Sequence, residues 1–286
     1  MPDVRLVTAT DLPVPDTDMP LVVSALRDRG AIVAVDDWRA AAVDWADARV
    51  TVVRSPWDYV DHLAEFLAWV DRVDAVTNLW NPAAVLRWNT HKSYLLDLGA
   101  RGAPVVPTVM LTHGGAAALD GIADAQGWNA LVVKPAVGVG GDGAGRFDVG
   151  DPAGQRHLDD LLRAGDVLVQ QFAPAIVSDG EYSVVMFDGV VSHALRKRVA
   201  SGEFRIHEER GGRTDECTPT AGQVELAERL WRALPASALY ARMDMVQLAG
   251  QWHVLEVEAT EPALWLDQVS PAATDRLADA VMARLR

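Results

Sequence analysis

The stretch RMDMVQLAGQWHVLEVE, Arg242 to Glu258, reads as two extended runs joined by a short turn at Ala249 and Gly250. Side chains alternate faces along a strand, so Glu256 and Glu258 project from one face and Leu255 and Val257 from the other. Register then decides which groups meet. A three-residue loop of Ala249, Gly250 and Gln251 sets Asp244 opposite Glu256 and Arg242 opposite Glu258, whereas a two-residue turn sends Asp244 to the far face. Three carboxylates and one arginine on a single face are costly to bury unless positive charge lies among them. Magnesium is a hard cation served by one or two carboxylates plus substrate phosphates, so Asp244, Glu256 and Glu258 suit a magnesium–nucleotide site. A solvated edge strand of alternating charge is the bland alternative, and the tryptophan and leucines on its flanks argue against it.

Upstream, LVVKPAVGVGGDGAGRF (131–147) places Lys134 at the end of an apolar run, followed by Gly138, Gly140, Gly141, Gly143 and Gly145. Such a loop lets backbone N–H groups approach phosphate oxygens. It also contains GxGxxG at 138–143, which would signal a dinucleotide site if a strand turned there directly into a helix; RFDVG reads as extended instead. Next, LVQQFAPAI offers Gln170, Gln171 and Phe172 as a hinge against a purine, with Ile176 at its face and the Glu181 carboxylate able to accept both ribose hydroxyls. Lys92 falls in WNTHKSYLLDLGARG, a predicted helix with Asn89 or Thr90 as N-cap and Gly102 as its end. A cation in a first helical turn opposes the helix dipole. The run SHALRKRVASGEFRIHEERGGR concentrates Arg196, Lys197, Arg198, Arg205, Arg210 and Arg213, and its GEFR suggests a loop holding Arg205 over an anion.

The rest of the 286-residue chain supplies the frame. Strand and helix alternate through the first 90 residues (VRLVTAT, PLVVSALRDRG, AIVAVDD, ARVTVVRS, HLAEFLAWVDRV, DAVTNLWN), which implies a parallel α/β unit. Downstream, strands dominate, including the extended runs EYSVVMF, VVSHALRKR and EFRIHEE, with helices at AGQVELAERLWRAL and at the C-terminus. The fold class expected is α/β (α+β), with units at 1–90, 91–170 and 171–286. A net charge of -14, with no basic segment interleaved with aromatics, argues against a nucleic-acid partner. No apolar run reaches membrane length, the N-terminus lacks a signal pattern, and the single Cys217 reads as incidental, so a cytoplasmic location is expected. Seven histidines are scattered without zinc-like pairing.

Taken in order, Lys92, KP with its glycine loop, GEYSV, GEFR before GG, RMD, and LEVE followed by EP resemble the ATP-grasp superfamily, glutathione-synthetase-like branch. RSPWDY (54–59), LWNP (79–82), RWNTHKSYL, VPT and EVEATEPALWL are further similar to the D-cycloserine-forming O-ureido-serine cyclo-ligases. The resemblance implies an ATP-grasp fold with a Rossmann-like N-terminal unit and two α+β subdomains enclosing ATP. It implies ATP-dependent activation of a carboxylate as an acyl phosphate and closure of an amide bond, most simply O-ureido-D-serine to D-cycloserine. Position by position, it assigns Lys92, Lys134, Gly140, Gly141 and Gly143 to phosphates, Gln170, Gln171 and Phe172 to adenine, Glu181 to ribose, and Asp244, Glu256 and Glu258 to two Mg2+ ions. Arg242, Arg205 and Lys197 take catalytic roles, and Trp57, Asp58 and Arg205 hold the small amino-acid-like carboxylate; a homodimer is compatible with this reading. Glu258 departs from the asparagine frequent at its position, and Val199 stands where a proline is expected. An intermolecular carboxylate–amine ligase is the alternative within the family. A nicotinamide-dependent dehydrogenase and a non-catalytic nucleotide-binding protein are the alternatives outside it, and neither accounts for Arg242 among three carboxylates.

Overall fold

The computed structural model describes residues 1–200 and 211–286. The expected strand run EFRIHEE and the substrate-loop residue Arg205 lie outside the described residues. Strands β1 (Val4–Thr8), β2 (Val33–Asp37), β3 (Val50–Ser55) and β4 (Asn78–Trp80) form a parallel sheet in the order β2-β1-β3-β4, with helices α1 (Asp18–Asp28) and α2 (Leu63–Asp74) between strands. Every residue of β3 is buried, as expected of a parallel strand covered on both faces. On one face, Val7 and Val53 meet Phe66, Trp69 and Val70 of α2.

Two helices follow, α3 (Ala83–Asn89) and α4 (Tyr94–Ala100). The helix expected from Asn89 or Thr90 onward begins only at Tyr94, because Pro82 starts a separate helix that ends at Asn89. Lys92 sits in the turn between them, not in a first helical turn, and its N–H donates to Ala136 O at 2.8 Å.

A second sheet, antiparallel, is built from β5 (Thr108–Leu111), β6 (Ala130–Pro135), β7 (Gly145–Asp148) and β8 (Val167–Gln171), ordered β5-β8-β6-β7. Helices α5 (Leu119–Gln126) and α6 (Pro152–Ala164) cover it. Asp151 caps α6 through Ala153 N at 2.8 Å, with Pro152 at the first helical position. The glycine loop joins β6 to β7, an antiparallel pair. A strand-to-helix turn for a dinucleotide is thereby ruled out at 138–143.

After the short helix α7 (Ala175–Ser178) come β9 (Glu181–Phe187), β10 (Val190–Arg198), β11 (Arg213–Cys217), helix α8 (Ala221–Arg232), β12 (Tyr240–Leu248), β13 (Gln251–Glu258) and helix α9 (Ala272–Ala283). The strands form an antiparallel sheet ordered β11-β10-β9-β12-β13. Strand β11, with Cys217 at its end, was not foreseen: its polar RTDEC pattern pairs along β10 at the sheet edge, where little side chain is buried. One face of this sheet packs on α8 and α4 through Leu226, Leu230, Leu95 and Leu98. The core around Val185, Phe187 and Tyr240 is shared with β1, β3, α1 and α9, so the N-terminal sheet buries its second face against the C-terminal part of the chain. Among the described residues no helix is long and apolar enough to cross a membrane.

The hairpin that opened the sequence reading has the expected register and an unexpected turn. Arg242 pairs with Glu258 and Asp244 with Glu256, but Leu248 pairs with Gln251, leaving a two-residue turn of Ala249 and Gly250 at φ 51 and 77. Two positive φ angles match the turn type whose twist suits adjacent strands. Register is restored by a β-bulge between Asp244 and Met245, where Leu255 is the extra residue on β13.

At the seam of β10 and the segment after β13, His193 donates from Nε2 to Leu264 O at 2.8 Å and is 6% exposed. Burial lowers its pKa from 6.5 to about 4, with Arg276 adding to the effect and the Leu264 bond opposing it. The unfolded chain therefore binds this proton between roughly pH 6.5 and 4 while the fold does not, and stability falls as pH drops through that window. This group alone should cost about 2 kcal/mol between pH 7 and pH 5. Urea unfolding at the two pH values should show that loss reduced in His193→Gln; an unchanged pH dependence would refute the assignment.

Candidate active site

A cavity of about 480 Å³ lies between the two antiparallel sheets, with Trp57 and Tyr59 of the N-terminal unit at its edge. From the second sheet come Lys134, the loop through Gly138, Gly140 and Gly141, and the segment Gln170–Ala173. Strands β9, β10, β12 and β13 contribute Glu181, Lys197, Arg242, Asp244, Leu255, Glu256 and Glu258. Because of the bulge, Leu255 faces this cleft and packs with Val106, Val246 and Ile176, whereas Val257 is buried beside Tyr94 and Leu95. The expectation that both share the far face is thus corrected.

The cleft is a network of opposite charges. Lys92 reaches Glu256 at 3.1 Å and donates to Gly138 O at 2.6 Å, which ties the glycine loop to the turn after α3. Lys134 approaches the other Glu256 oxygen at 3.9 Å. Lys197 pairs with Glu181 and lies 3.5 Å from Asp244. Arg242 donates to both Asp244 oxygens, pairs with Glu258, and donates to Ala263 O at 3.1 Å. Asp244 also accepts from Ser183 Oγ. The Trp265 ring lies under both Lys197 and Arg242, at 5.3 and 4.9 Å, a cation–π arrangement that helps hold two like charges side by side.

These contacts set the charges. Burial opposes ionisation of Asp244 and Glu256, but Arg242 with Lys197, and Lys92 with Lys134, outweigh it and hold both carboxyls below their usual range. Glu258 goes the other way: burial, with Asp244 and Glu256 adding repulsion, pushes it up to about 8 against the pull of Arg242. Glu261 is raised by burial to about 7. Lys134 is lowered by burial and by Lys92.

Of the residues singled out from sequence, Lys92, Lys134, Gly140, Gly141, Gln170, Gln171, Phe172, Glu181, Lys197, Arg242, Asp244, Glu256, Glu258 and Trp57 all line the cleft. Gly143 and Asp58 are not among the lining residues. Gly143 accepts from His157 Nε2 through its carbonyl, and a side chain there would meet Pro135 at 3.1 Å, so it shapes the loop from behind. Asp58 is held within the N-terminal unit, accepting from Trp38 Nε1 at 2.6 Å with Arg39 at 3.6 Å. At the hinge, Gln170 donates to Thr108 Oγ1, and the amides of Gln171 and Phe172 donate within the sheet. The hinge is left with its carbonyls, and the Phe172 ring already carries the Arg146 guanidinium at 4.7 Å. The sequence reading missed Tyr59, Glu261 and Trp265 as cleft residues; their signals were the RSPWDY and EATEPALWL stretches that carried the narrower resemblance.

Among the described residues no three acidic, histidine or cysteine side chains converge on one point. Glu181, Asp244, Glu256 and Glu258 are instead each turned onto a lysine or arginine. The donor set nonetheless fits magnesium: Asp244, Glu256 and Glu258 are hard oxygen donors on one face, and the cleft is lined by six carboxylates, the exposed Asp142 among them, against four cations.

Comparison with known proteins assigns the family. Residues 104–264 match the family described as prokaryotic glutathione synthetase, ATP-grasp domain, and residues 4–81 match D-cycloserine synthetase DcsG, N-terminal domain. The chain is an ATP-grasp ligase. It is 36% identical to the cycloserine biosynthesis protein DcsG of Streptomyces lavendulae over 97% of both chains. The crystal structure of D-cycloserine synthetase DcsG superposes with a TM-score of 0.89 at 32% identity, covering 99% of each chain. A D-alanine–D-alanine ligase from Bacillus anthracis, at 14% identity and a TM-score of 0.73, shares the fold. As an ATP-grasp ligase the enzyme is ATP-dependent, which disposes of the dehydrogenase and the non-catalytic alternatives.

The ligase fixes its acidic strand from outside. The Asn89 amide donates to Val257 O at 2.6 Å, and its carbonyl accepts from Ala259 N and Thr260 Oγ1. Asn89→Ala leaves several buried polar groups unpaired, so a loss of about 2–3 kcal/mol is expected in urea unfolding. A loss under about 0.5 kcal/mol would mean that the end of β13 holds itself.

Proposed function

We propose that this ATP-grasp ligase cyclises O-ureido-D-serine to D-cycloserine, with ADP, phosphate, CO2 and ammonia as the other products. The observation that carries the substrate assignment is the 36% identity to DcsG through 97% of both chains. It includes the N-terminal unit, whose Trp57 and Tyr59 border the cleft. The three units proposed are 1–90, 91–170 and 171–286, with the cleft between the last two.

In this reading Lys92 and Lys134 hold the nucleotide phosphates, the hinge at Gln170, Gln171 and Phe172 holds the base, and Glu181 receives the ribose once Lys197 releases it. Asp244, Glu256 and Glu258 would hold two magnesium ions. ATP supplies the phosphoryl group, and magnesium, when bound, neutralises charge on the phosphates. Arg242 and Lys197 lie where the substrate carboxylate is phosphorylated and stabilise the developing charge. The side-chain nitrogen attached to oxygen then attacks the activated carbonyl, phosphate leaves, and a five-membered ring closes; water removes the carbamoyl group as CO2 and ammonia. An intramolecular nucleophile has a very high effective concentration, so the protein need mainly fold the substrate and exclude water.

Incubation with ATP, Mg2+ and O-ureido-D-serine or its L form should yield ADP and cyclised product in equal amounts from the preferred enantiomer. ADP formed only when a separate amine is added would overturn the cyclisation and leave an intermolecular ligase. Glu256→Gln keeps the shape but frees Lys92 and Lys134 of their charged partner and removes a metal-type oxygen. Its kcat is expected to fall by at least about 100-fold while circular dichroism is unchanged; near-normal turnover would sink the metal role of Glu256.

A further inference from the structure

We propose that Glu261 is the anchor for the α-ammonium group of the amino-acid substrate, an inference that rests on the amino-acid-like substrate class of the preceding section. Apart from Asp142, which is exposed to solvent, every other cleft carboxylate meets a cation: Glu181 meets Lys197, Asp244 and Glu258 meet Arg242, and Glu256 meets Lys92 and Lys134. Glu261 lines the same cleft and is 7% exposed, yet among the described residues its carboxylate has no ion-pair partner. The Lys92 charge acts on it, but Lys92 is committed to Glu256 and to Gly138 O, and the group that bonds the Glu261 side chain is the hydroxyl of Tyr59, a neutral donor. A buried carboxylate left without a cation is expensive, and a protein retains one where a ligand brings the missing charge.

The backbone around Glu261 is overdetermined in a way its side chain is not. Glu261 O accepts from Trp57 Nε1 at 3.0 Å, Thr260 O from the Tyr240 hydroxyl at 2.9 Å, and Pro262 O from Arg54 Nη2 at 3.1 Å. Ala263 O accepts from Arg242. The carboxylate is therefore held at a fixed place, two residues from the carbonyl bonded to Arg242. An α-amino acid carries its ammonium one carbon from the carboxyl group that reacts, and Glu261 lines the same cleft as Arg242, whose charge acts on its carboxylate.

The test is Glu261→Gln, which keeps the shape and the contact with Tyr59. With O-ureido-D-serine, KM should rise about 30-fold or more while KM for ATP and the Mg2+ dependence stay within about twofold. The wild type should prefer this substrate over its des-amino analogue, 3-(ureidooxy)propanoate, by a similar factor in kcat/KM, and the variant should lose most of that preference. The variant's Tm should equal or exceed that of wild type, because an uncompensated buried charge has been removed. Equal losses on the amino and des-amino substrates, a shifted Mg2+ or ATP dependence, or a lowered Tm with unchanged selectivity would each overturn the inference. If the wild type does not cyclise O-ureido-serine in either form, the proposed function fails and the anchor is read separately. In the presence of ADP and Mg2+, D- or L-serine should raise the wild-type Tm more than 3-hydroxypropanoate does, and Glu261→Gln should abolish the difference. No such difference in the wild type, or one that survives in the variant, overturns the anchor on its own.

Discussion

Glu256 and Glu258 protrude from one face of β13 with Asp244 across the ladder, and like charges at that spacing repel strongly once water is removed. The cleft tolerates them because cations from different parts of the chain answer them: Lys92 from the turn after α3 and Lys134 from the end of β6 at Glu256, and Arg242 from β12 itself at Asp244 and Glu258. Breaking such a pair leaves a buried charge without compensation, so the three segments are bound to one another more firmly than any count of surface ion pairs would suggest. The closure of the second sheet over the third follows from this, since Lys92 and Lys134 both answer the same carboxylate, and Lys92 also holds the carbonyl of Gly138 in the loop above it.

Geometry at this precision needs a rigid strand end, and the N-terminal unit helps supply it. Asn81 accepts from Leu239 N and donates to Tyr240 O and Ala259 O, bracketing the start of β12 and the end of β13 together. Asn89 holds the end of β13 alone, at Val257 and Ala259. Farther on, the Asp18 carboxylate accepts from Leu264 N and Leu266 N, both at 2.7 Å, fixing the turn in which Trp265 adopts φ 50. Trp265 then supports Lys197 and Arg242 from beneath. A helix of the N-terminal unit thereby sets the position of two cations in the cleft without touching either.

The alternation of residues in Arg242–Glu258 was enough to pair the charged groups correctly, because burying one face leaves a single register in which all four can be compensated. It was not enough to find the turn. A two-residue turn and a bulge together give the same pairing of Asp244 and Glu256 as a three-residue turn alone, and no local propensity distinguishes the two routes. Parallel strands β1 to β4 and the amphipathic helices were legible from periodicity, while α3 was hidden because WNPAAVLRWN holds two tryptophans and a proline that read as a strand exit. Lys92 and Lys134 stood out as cations in unusual local settings. Glu261 did not, because its meaning lies in having no ion-pair partner among the described residues, and only the packed fold reveals what a side chain lacks. Asp58 failed for the converse reason: beside Trp57 in sequence, it is drawn to Trp38 and Arg39 instead of the cleft.

The internal pairing also bears on how a ligand enters. A polyphosphate can take Lys92 and Lys134 only by drawing them from Glu256, which would leave that carboxylate buried and alone. A divalent cation bound with the nucleotide would remove that penalty, because its charge would offset that of Glu256. Nucleotide without metal should thus bind poorly for an electrostatic reason, although the lysines alone would attract it. Glu258 fits the same logic: with burial and two neighbouring carboxylates pushing its pKa to about 8, it is the acid with the most to gain from a nearby cation. The cleft is accordingly balanced for exchange, its protein-borne ion pairs standing in for those a bound nucleotide would make.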